Sequence, residues 1–159
     1  KDVMFNFNGE VKSEWVVSWK KFLTTPTVIN LQKQACTKYF QRAKGLAGKF
    51  GFPQDDRVAM AFFYDCAVQV WSMEINIFLQ GVDQAENILQ TYDVDNMMLW
   101  MNQNLSERQQ RLIIIAHTRA QKCKPEWRHS FFVRKATIAM GFGIVNKQKF
   151  DFRKSVTGY

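Results

Sequence analysis

The chain has 159 residues, of which 47% are hydrophobic, and its formal net charge is +8. This length suits one ordinary domain, and this composition excludes an intrinsically disordered chain. No apolar run approaches the roughly 20 residues that span a bilayer, so we expect no membrane insertion.

The spacing of apolar residues and of helix-capping residues predicts a mostly helical chain. Two short helical pieces are expected at residues 85–89 and 94–101, and residues 143–159 are expected to be irregular or hairpin-like. The expected helix starts are Ser13, Thr25 with Pro26, Asp55 or Asp56, Ser106, and Pro125. The expected helix ends are Thr24, Gly51, about Ser72, and Gly141. The predicted fold class is therefore all-α, with residues 1–159 forming a single domain.

The third predicted helix contains one carboxylate in an apolar surrounding. Residues 58–70 are apolar nearly all round except Asp65 and Gln69, which is typical of a central helix covered on most sides. A lone buried carboxylate is costly unless it is paired. We therefore predict an ion pair between Asp65 and either Arg119 or Arg134, which both lie in apolar helical stretches. The favoured interpretation is a buried pair that locks three helices; the alternative is a network that lines a cleft and orients a catalytic group.

The cysteines do not indicate a disulfide framework or a metal site. Cys36, Cys66 and Cys123 are an odd, widely spaced set without zinc-ligand spacing, and we expect neither metal nor cofactor. A cysteine–histidine hydrolase using Cys66 or Cys123 is an alternative. A buried structural role is favoured because Cys66 lies in mid-helix, not at a helix start where its pKa would fall.

Several segments together resemble one enzyme family. The order of elements is similar to the larger, helical lobe of chitosanase-like glycoside hydrolases of the lysozyme superfamily, from about residue 14 to residue 145. The segment around Tyr64 and Asp65 resembles that family's small-aromatic-Tyr-Asp-x-x-Val motif, although Val70 and Trp71 stand where the family usually has His-Gly. The other similar segments are the tryptophan helix at 14–19, the arginine helix at 116–120 and the last helix at 127–141.

This resemblance implies a lysozyme-like helical lobe in which Asp65 pairs with Arg119 and Arg134. In such enzymes the network supports a general-acid glutamate, and hydrolysis uses two carboxylates that flank the scissile bond. The family's catalytic carboxylates lie upstream of the tryptophan helix, where this chain has only about a dozen residues. We therefore expect that residues 1–159 lack an upstream catalytic segment, and whether the chain is an active enzyme stays open.

Other carboxylates provide weaker alternatives. Glu10 and Glu14 are the only early glutamates, and a surface position is favoured for both. Asp65 paired with Glu74 or Asp93 is a second possible catalytic pair. Acidic residues at 83, 86, 93 and 95 could ring a cleft, but a solvated surface is favoured.

Aromatic and amide side chains provide candidates for substrate binding. Tyr64, Gln69, Trp71 and Trp100 are the expected sugar-contacting residues. Trp15 and Trp127 are expected in the core, because an aromatic residue at helical spacing is more often buried.

The resemblance implies a muramidase-like hydrolase of peptidoglycan glycan strands. Similar domains are cell-wall-degrading effectors at the tips of type VI secretion spikes. The chain starts without methionine or a secretory signal, so we expect a cut piece or processed form, secreted by such a non-classical route and acting in the periplasm of a rival bacterium. The expected partners are glycan strands and a cognate immunity protein.

Two other function classes are compatible with the sequence. One is a non-catalytic helical module that binds wall polymer or a protein. The other is a nucleic-acid binder, which only the net charge favours; the basic residues are scattered, so we expect no nucleic-acid partner. Between possible glycans, the positive charge favours the anionic wall over the polycation chitosan.

Overall fold

The computed structural model describes residues 4, 10–69, 83–92, 94–100 and 103–154. The described residues are mostly helical, with seven helices and one two-stranded antiparallel sheet, which confirms the helical class apart from the small hairpin. The helices are α1 (Ser13–Leu23), α2 (Pro26–Lys49), α3 (Arg57–Gln69), α4 (Asp83–Tyr92), α5 (Val94–Trp100), α6 (Glu107–Gln121) and α7 (Pro125–Met140), and the strands are β1 (Phe142–Val145) and β2 (Gln148–Asp151).

The chain divides into two compact units, Lys1–Gln41 and Arg42–Tyr159. All the helices that contain the predicted ion pair, α3, α6 and α7, belong to the second unit. The expectation that residues 1–159 form a single domain stays a prediction.

In the first unit, α1 differs from its prediction in two ways. Its N-cap is Lys12, without a side-chain cap hydrogen bond, so Ser13 is the first helical residue and not the cap. The helix buries none of its residues, and Phe22 is 53% exposed. Trp15 is only partly buried, so the prediction that it is a core residue is wrong.

In the second unit, local signals set the start of α3 and the end of α2. A carboxylate oxygen of Asp56 accepts hydrogen bonds from the backbone N–H groups of Val58 and Ala59, at 3.1 and 3.0 Å, which is N-capping geometry and confirms Asp56 as the start signal. Gly51 has φ +71°, a left-handed conformation that suits glycine just beyond a helix end. The predicted continuation of α3 to Ser72 lies outside the described residues.

The core of this unit is built mainly by α3, α6 and α7. Both ends of α7 follow their predictions, with Pro125 in its first turn and Gly141 at φ 83° after it. The predicted capping box of α6 is present between Ser106 and Gln109. The side chains that are completely buried include Phe62 and Phe63 of α3, Leu112, Ile113 and Ile115 of α6, and Phe132 of α7. α3 buries seven of its thirteen residues and packs mainly against α7, but Val68 is 47% exposed, so α3 is not covered nearly all round as its apolar composition predicts.

The predicted hairpin-like tail is confirmed as β1 and β2. Asn146 and Lys147 connect the strands with φ values of 50° and 65°, the positive pair that a tight type I′ turn requires. α5 fixes this hairpin: the indole N–H of Trp100 donates to the carbonyl of Phe142 at 2.9 Å. The amide of Asn96 exchanges two hydrogen bonds with the backbone of Ile144, at 2.9 and 2.7 Å.

Candidate functional site

Asp65 is the centre of a charged cluster between α3 and α7. The Nε atom of Arg134 lies 2.9 Å from one carboxylate oxygen of Asp65 and 3.1 Å from the other. The ammonium of Lys135 also donates to Asp65, so cations contact both carboxylate oxygens. The ion pair that the sequence predicts with one of two arginines is therefore present with Arg134.

Lys135 is the member of this cluster that sequence reasoning missed. Its side chain is completely buried, whereas the side chain of Arg134 is 49% exposed. The ammonium of Lys135 donates to Asp65 and to the side-chain oxygen of Gln69, and it lies 4.5 Å from the centre of the Phe131 ring. The sequence signal for the burial of Lys135 is its spacing. Lys135 follows Phe131 by four residues, so the two side chains lie on the same face of α7.

The cluster joins two helices and not three. Within the described part of the chain, Arg119 of α6 forms no salt bridge with Asp65, and its buried Nε atom has no hydrogen-bond partner. The interpretation of a pair that locks three helices is corrected in this respect. Arg119 instead lines a cavity beside the cluster.

Two cavities share Arg134 as a lining residue. The Arg119 cavity, of about 550 Å³, is lined by Gln69, Arg119, Cys123, Lys124, Trp127, Ser130, Phe131, Arg134, Val145 and Asn146. The Asp65 cavity, of about 370 Å³, is lined by Asp65, Arg134, Thr137, Ile138, Val145, Asn146, Gln148, Phe150 and Phe152. Since both share Arg134 and the hairpin residues Val145 and Asn146, the two cavities are adjacent.

The Arg119 cavity is cationic and has an exposed aromatic side chain. Arg119, Lys124 and Arg134 line it, and no Asp or Glu is among the described lining residues. Trp127 also lines it and is 61% exposed, so the prediction that Trp127 is a core residue is wrong. Trp127 lies in the first turn of α7, where helical spacing alone does not determine burial.

The predicted sugar-contacting residues have different surroundings. Gln69 lines the Arg119 cavity while its oxygen accepts from Lys135. Tyr64 is half-buried on α3. Trp100 is only 2% exposed and its N–H is bonded to Phe142, so we correct its assignment from sugar stacking to core packing. Trp71 lies outside the described residues.

The alternative carboxylates are not brought to the cluster. Glu10 and Glu14 are exposed in the first unit, and their catalytic roles stay predictions. Glu74 and Asp93 lie outside the described residues. In the acidic stretch, the side chains of Glu86 and Asp95 are exposed, as expected for a solvated surface.

The described cysteines are free thiols, and Cys66 is buried. Burial raises the pKa of Cys66 to about 12, an effect that the nearby positive charge of Lys135 partly opposes. A thiol with this pKa stays protonated at neutral pH and is a poor nucleophile. The structure therefore supports a structural role for Cys66 over the cysteine–histidine alternative.

Neither a metal centre nor a membrane span is found in the described residues. No group of three or more histidine, cysteine or acidic residues there could hold a metal ion. None of the described helices has the length and hydrophobicity needed to cross a bilayer.

A second polar cluster joins α4 to α6. Gln121 donates to the hydroxyl oxygen of Tyr92 at 2.9 Å, and the Tyr92 hydroxyl lies 3.0 Å from Nδ1 of His117. The hydroxyl can thus donate to Nδ1 only when that nitrogen carries no proton. Burial lowers the pKa of His117 below its ordinary value, which also favours the neutral ring.

This arrangement predicts a contribution of His117 to acid sensitivity. Since the folded state lowers the pKa of His117, the unfolded chain binds a proton more readily. The contribution of His117 to the free energy of unfolding is complete above the ordinary histidine pKa of about 6.5. It is lost as the pH falls through the pKa that His117 has in the folded state. We expect the stability difference between pH 7.5 and pH 5 to shrink in His117→Gln, measured by urea unfolding. An undiminished difference in His117→Gln would contradict the assignment.

Comparison with protein-family models, curated proteins and solved structures gave no match for this chain.

Proposed function

We propose that the chain is the helical lobe of a peptidoglycan-degrading glycoside hydrolase with a lysozyme-like, chitosanase-like fold. The observation that supports this most is the ion pair between Asp65 of α3 and Arg134 of α7. The family resemblance expects a carboxylate–arginine network between these two helices. Asp65 lines one of the two adjacent cavities and Arg134 lines both, which is suitable for a pair that shapes a glycan-binding cleft.

In this proposal Asp65 is a positioning residue and not the general acid or base. Arg134 contacts both of its oxygens and Lys135 contacts one of them, so neither oxygen is available to transfer a proton to a sugar. Hydrolysis by general acid and base needs two carboxylates that flank the scissile bond. The sequence-based candidates for these carboxylates, Glu10 and Glu14, stay predictions.

The biological setting belongs to the same proposal. The domain would be an effector that leaves its cell by a type VI-like route and cuts glycan strands in the periplasm of a rival bacterium. An immunity protein that fills the cleft would protect the producing cell. The net charge of +8 supports an anionic wall polymer as the target.

Digestion of purified cell-wall sacculi tests the enzymatic function. The chain and a longer polypeptide that includes preceding residues are incubated with sacculi, and released muropeptides with new reducing ends are measured. Cleavage by either protein, weakened by Asp65→Ala but not by the exposed Asp151→Asn, is the expected result. Absence of cleavage by both proteins would refute the hydrolase.

A non-catalytic wall-binding module is the second candidate. The favouring observation is that Asp65 is the only carboxylate among the described residues that line the two cavities, and its oxygens are occupied. Such a module would sediment with sacculi without releasing any product. Sedimentation without cleavage by the longer polypeptide would support this function.

A further inference from the structure

We propose that α1 binds to the surface of a membrane that contains anionic lipids, through the exposed apolar side chains on one face of the helix. The helix lies among the lipid headgroups and does not cross the bilayer, because its 11 residues are far fewer than the roughly 20 that span the hydrocarbon core. This membrane contact is a second function, and it does not depend on the proposed hydrolysis of glycan strands.

The apolar face of α1 is a continuous stripe that the fold covers only in part. The α1 stripe is formed by Trp15, Val16, Trp19, Phe22 and Leu23, which recur at steps of three and four residues and therefore lie on one side of the helix. α1 buries none of its residues, and Trp19 and Phe22 are 47% and 53% exposed. Since large apolar side chains are rarely exposed as a contiguous set, the α1 stripe indicates an interaction surface.

The shape of the stripe suits lipid. The rings of Trp19 and Phe22 meet edge to face, with their centres 5.8 Å apart. Beside them is an open hollow of about 290 Å³ whose described lining is Trp15, Ser18, Trp19 and Phe22, with no charged residue. Tryptophan is favoured at the boundary between headgroups and acyl chains, and helices that lie in this boundary present tryptophan, phenylalanine and leucine on one face.

The charges near the stripe select an anionic surface. Lys20 is exposed and follows Val16 by four residues, so it borders the stripe, where its long side chain can hold the ammonium at the level of the headgroups. α2 directly follows α1 and contains no Asp or Glu, whereas its Lys33 and Lys38 are exposed. The one carboxylate of α1, that of Glu14, lies away from the stripe on the polar side.

A bilayer with anionic lipids matches both properties at once. It can take up the aliphatic and aromatic side chains of the stripe, and its surface potential attracts the neighbouring lysines. A second copy of the chain matches them less well, because its own α1 and α2 carry the same excess of positive charge. We therefore commit to lipid as the occupant of the α1 stripe.

Cosedimentation with vesicles tests the proposal. The chain is mixed with vesicles of phosphatidylcholine alone, or of phosphatidylcholine and phosphatidylglycerol in equal parts, and the bound fraction gives a partition coefficient. We expect clear binding to the anionic vesicles, at least tenfold weaker binding to the neutral ones, and a marked loss at about 0.5 M salt, which screens the lysines. Absence of binding to the anionic vesicles, or equal binding to both kinds, would overturn the proposal.

Apolar variants locate the contact on α1. Replacing Trp19 and Phe22 together by alanine should weaken binding to anionic vesicles about tenfold or more, because two aromatic side chains no longer enter the bilayer. Neither residue is buried and alanine favours a helix, so α1 should remain folded. The matched control is Met98→Ala, which shortens a 77% exposed apolar side chain in the second unit and should leave binding unchanged. Equal losses in the double variant and in Met98→Ala would refute the role of the stripe.

Charge variants separate local attraction from net charge. Lys20→Gln should weaken binding to anionic vesicles about fivefold, the usual effect of one lysine at an anionic surface. Lys122→Gln removes the same charge from an exposed residue of the second unit and should have little effect. Equal losses in the two variants would show that net charge alone is responsible and would contradict the proposed contact.

The oligomeric state provides an independent check. Analytical ultracentrifugation without lipid should show a monomer over the concentrations used with vesicles. A dimer that disappears when Trp19 and Phe22 are replaced by alanine would assign the stripe to a second copy and overturn the membrane proposal. Vesicle binding by a chain that leaves sacculi intact would support the membrane contact and remove only the hydrolase.

Discussion

Replacing Asp65 by alanine should lower the free energy of unfolding by about 3–5 kcal/mol, which is the usual cost of breaking a buried ion pair. The physical reason is Lys135, whose side chain is completely buried and which has Asp65 as its negative partner. In Asp65→Ala the ammonium retains only the side-chain oxygen of Gln69 and the ring of Phe131. Urea unfolding monitored by far-UV circular dichroism measures the loss.

Two further variants show whether this loss comes from the stranded charge. Asp151 pairs with Arg153 in an exposed position, so Asp151→Ala should give no measurable change. Combining Asp65→Ala with Lys135→Met removes both charges and keeps an apolar chain of similar length, so it should recover much of the lost stability. If Asp65→Ala lowered the free energy of unfolding as little as Asp151→Ala, Asp65 would not be needed to stabilise the buried ammonium of Lys135.

The same double variant separates structural support from positioning at the site. A single Asp65 substitution destabilises the fold, and this alone can reduce glycan cleavage. A loss of cleavage in that variant therefore does not show that Asp65 has a role at the site. If the double variant regains both stability and glycan cleavage, Asp65 acts only through the fold. If it regains stability without cleavage, the orientation that the cluster gives to Arg134 is itself required by the site.

The helix boundaries of the second unit could largely be predicted because their signals are local. Asp56 caps α3, Ser106 caps α6 through the box that it forms with Gln109, and Gly141 follows α7. Each of these signals acts within four residues and needs no knowledge of the packing. Burial was less predictable: Trp100 is in the core, whereas Trp127 is exposed. Which face of a helix is covered depends on its neighbours, and these are distant in the sequence.

At the candidate site, the partner of Asp65 could likewise not be predicted, because it depends on packing between distant segments. The cost of an isolated carboxylate in an apolar helix predicts that Asp65 has a cationic partner. It does not determine which cation is chosen, because Arg119 and Arg134 occupy similar apolar contexts. The choice depends on how α7 packs against α3, and that packing also brings Lys135 to the carboxylate. Sequence reasoning about isolated arginines therefore identified the pair but not the buried lysine.

Replacing Gly143 by alanine should destabilise the protein by about 1–3 kcal/mol, the usual effect of overpacking. A Cβ atom at Gly143 would lie 2.9 Å from Cζ2 of Trp100 and 3.0 Å from the side-chain oxygen of Asn96, and closer still to the hydroxyl of Thr137. These neighbours cannot easily move. Trp100 and Asn96 are buried and hold β1 by hydrogen bonds on both sides of Gly143. Thermal unfolding followed by circular dichroism measures the effect.

The matched control for this substitution is Gly45→Ala in α2. A Cβ atom at Gly45 would meet nothing within 4 Å, and alanine is favoured over glycine inside a helix by about 0.5–1 kcal/mol. The same added methyl group should therefore raise stability at residue 45 and lower it at residue 143. Normal stability in Gly143→Ala would show that the hairpin does not depend on its contact with α5.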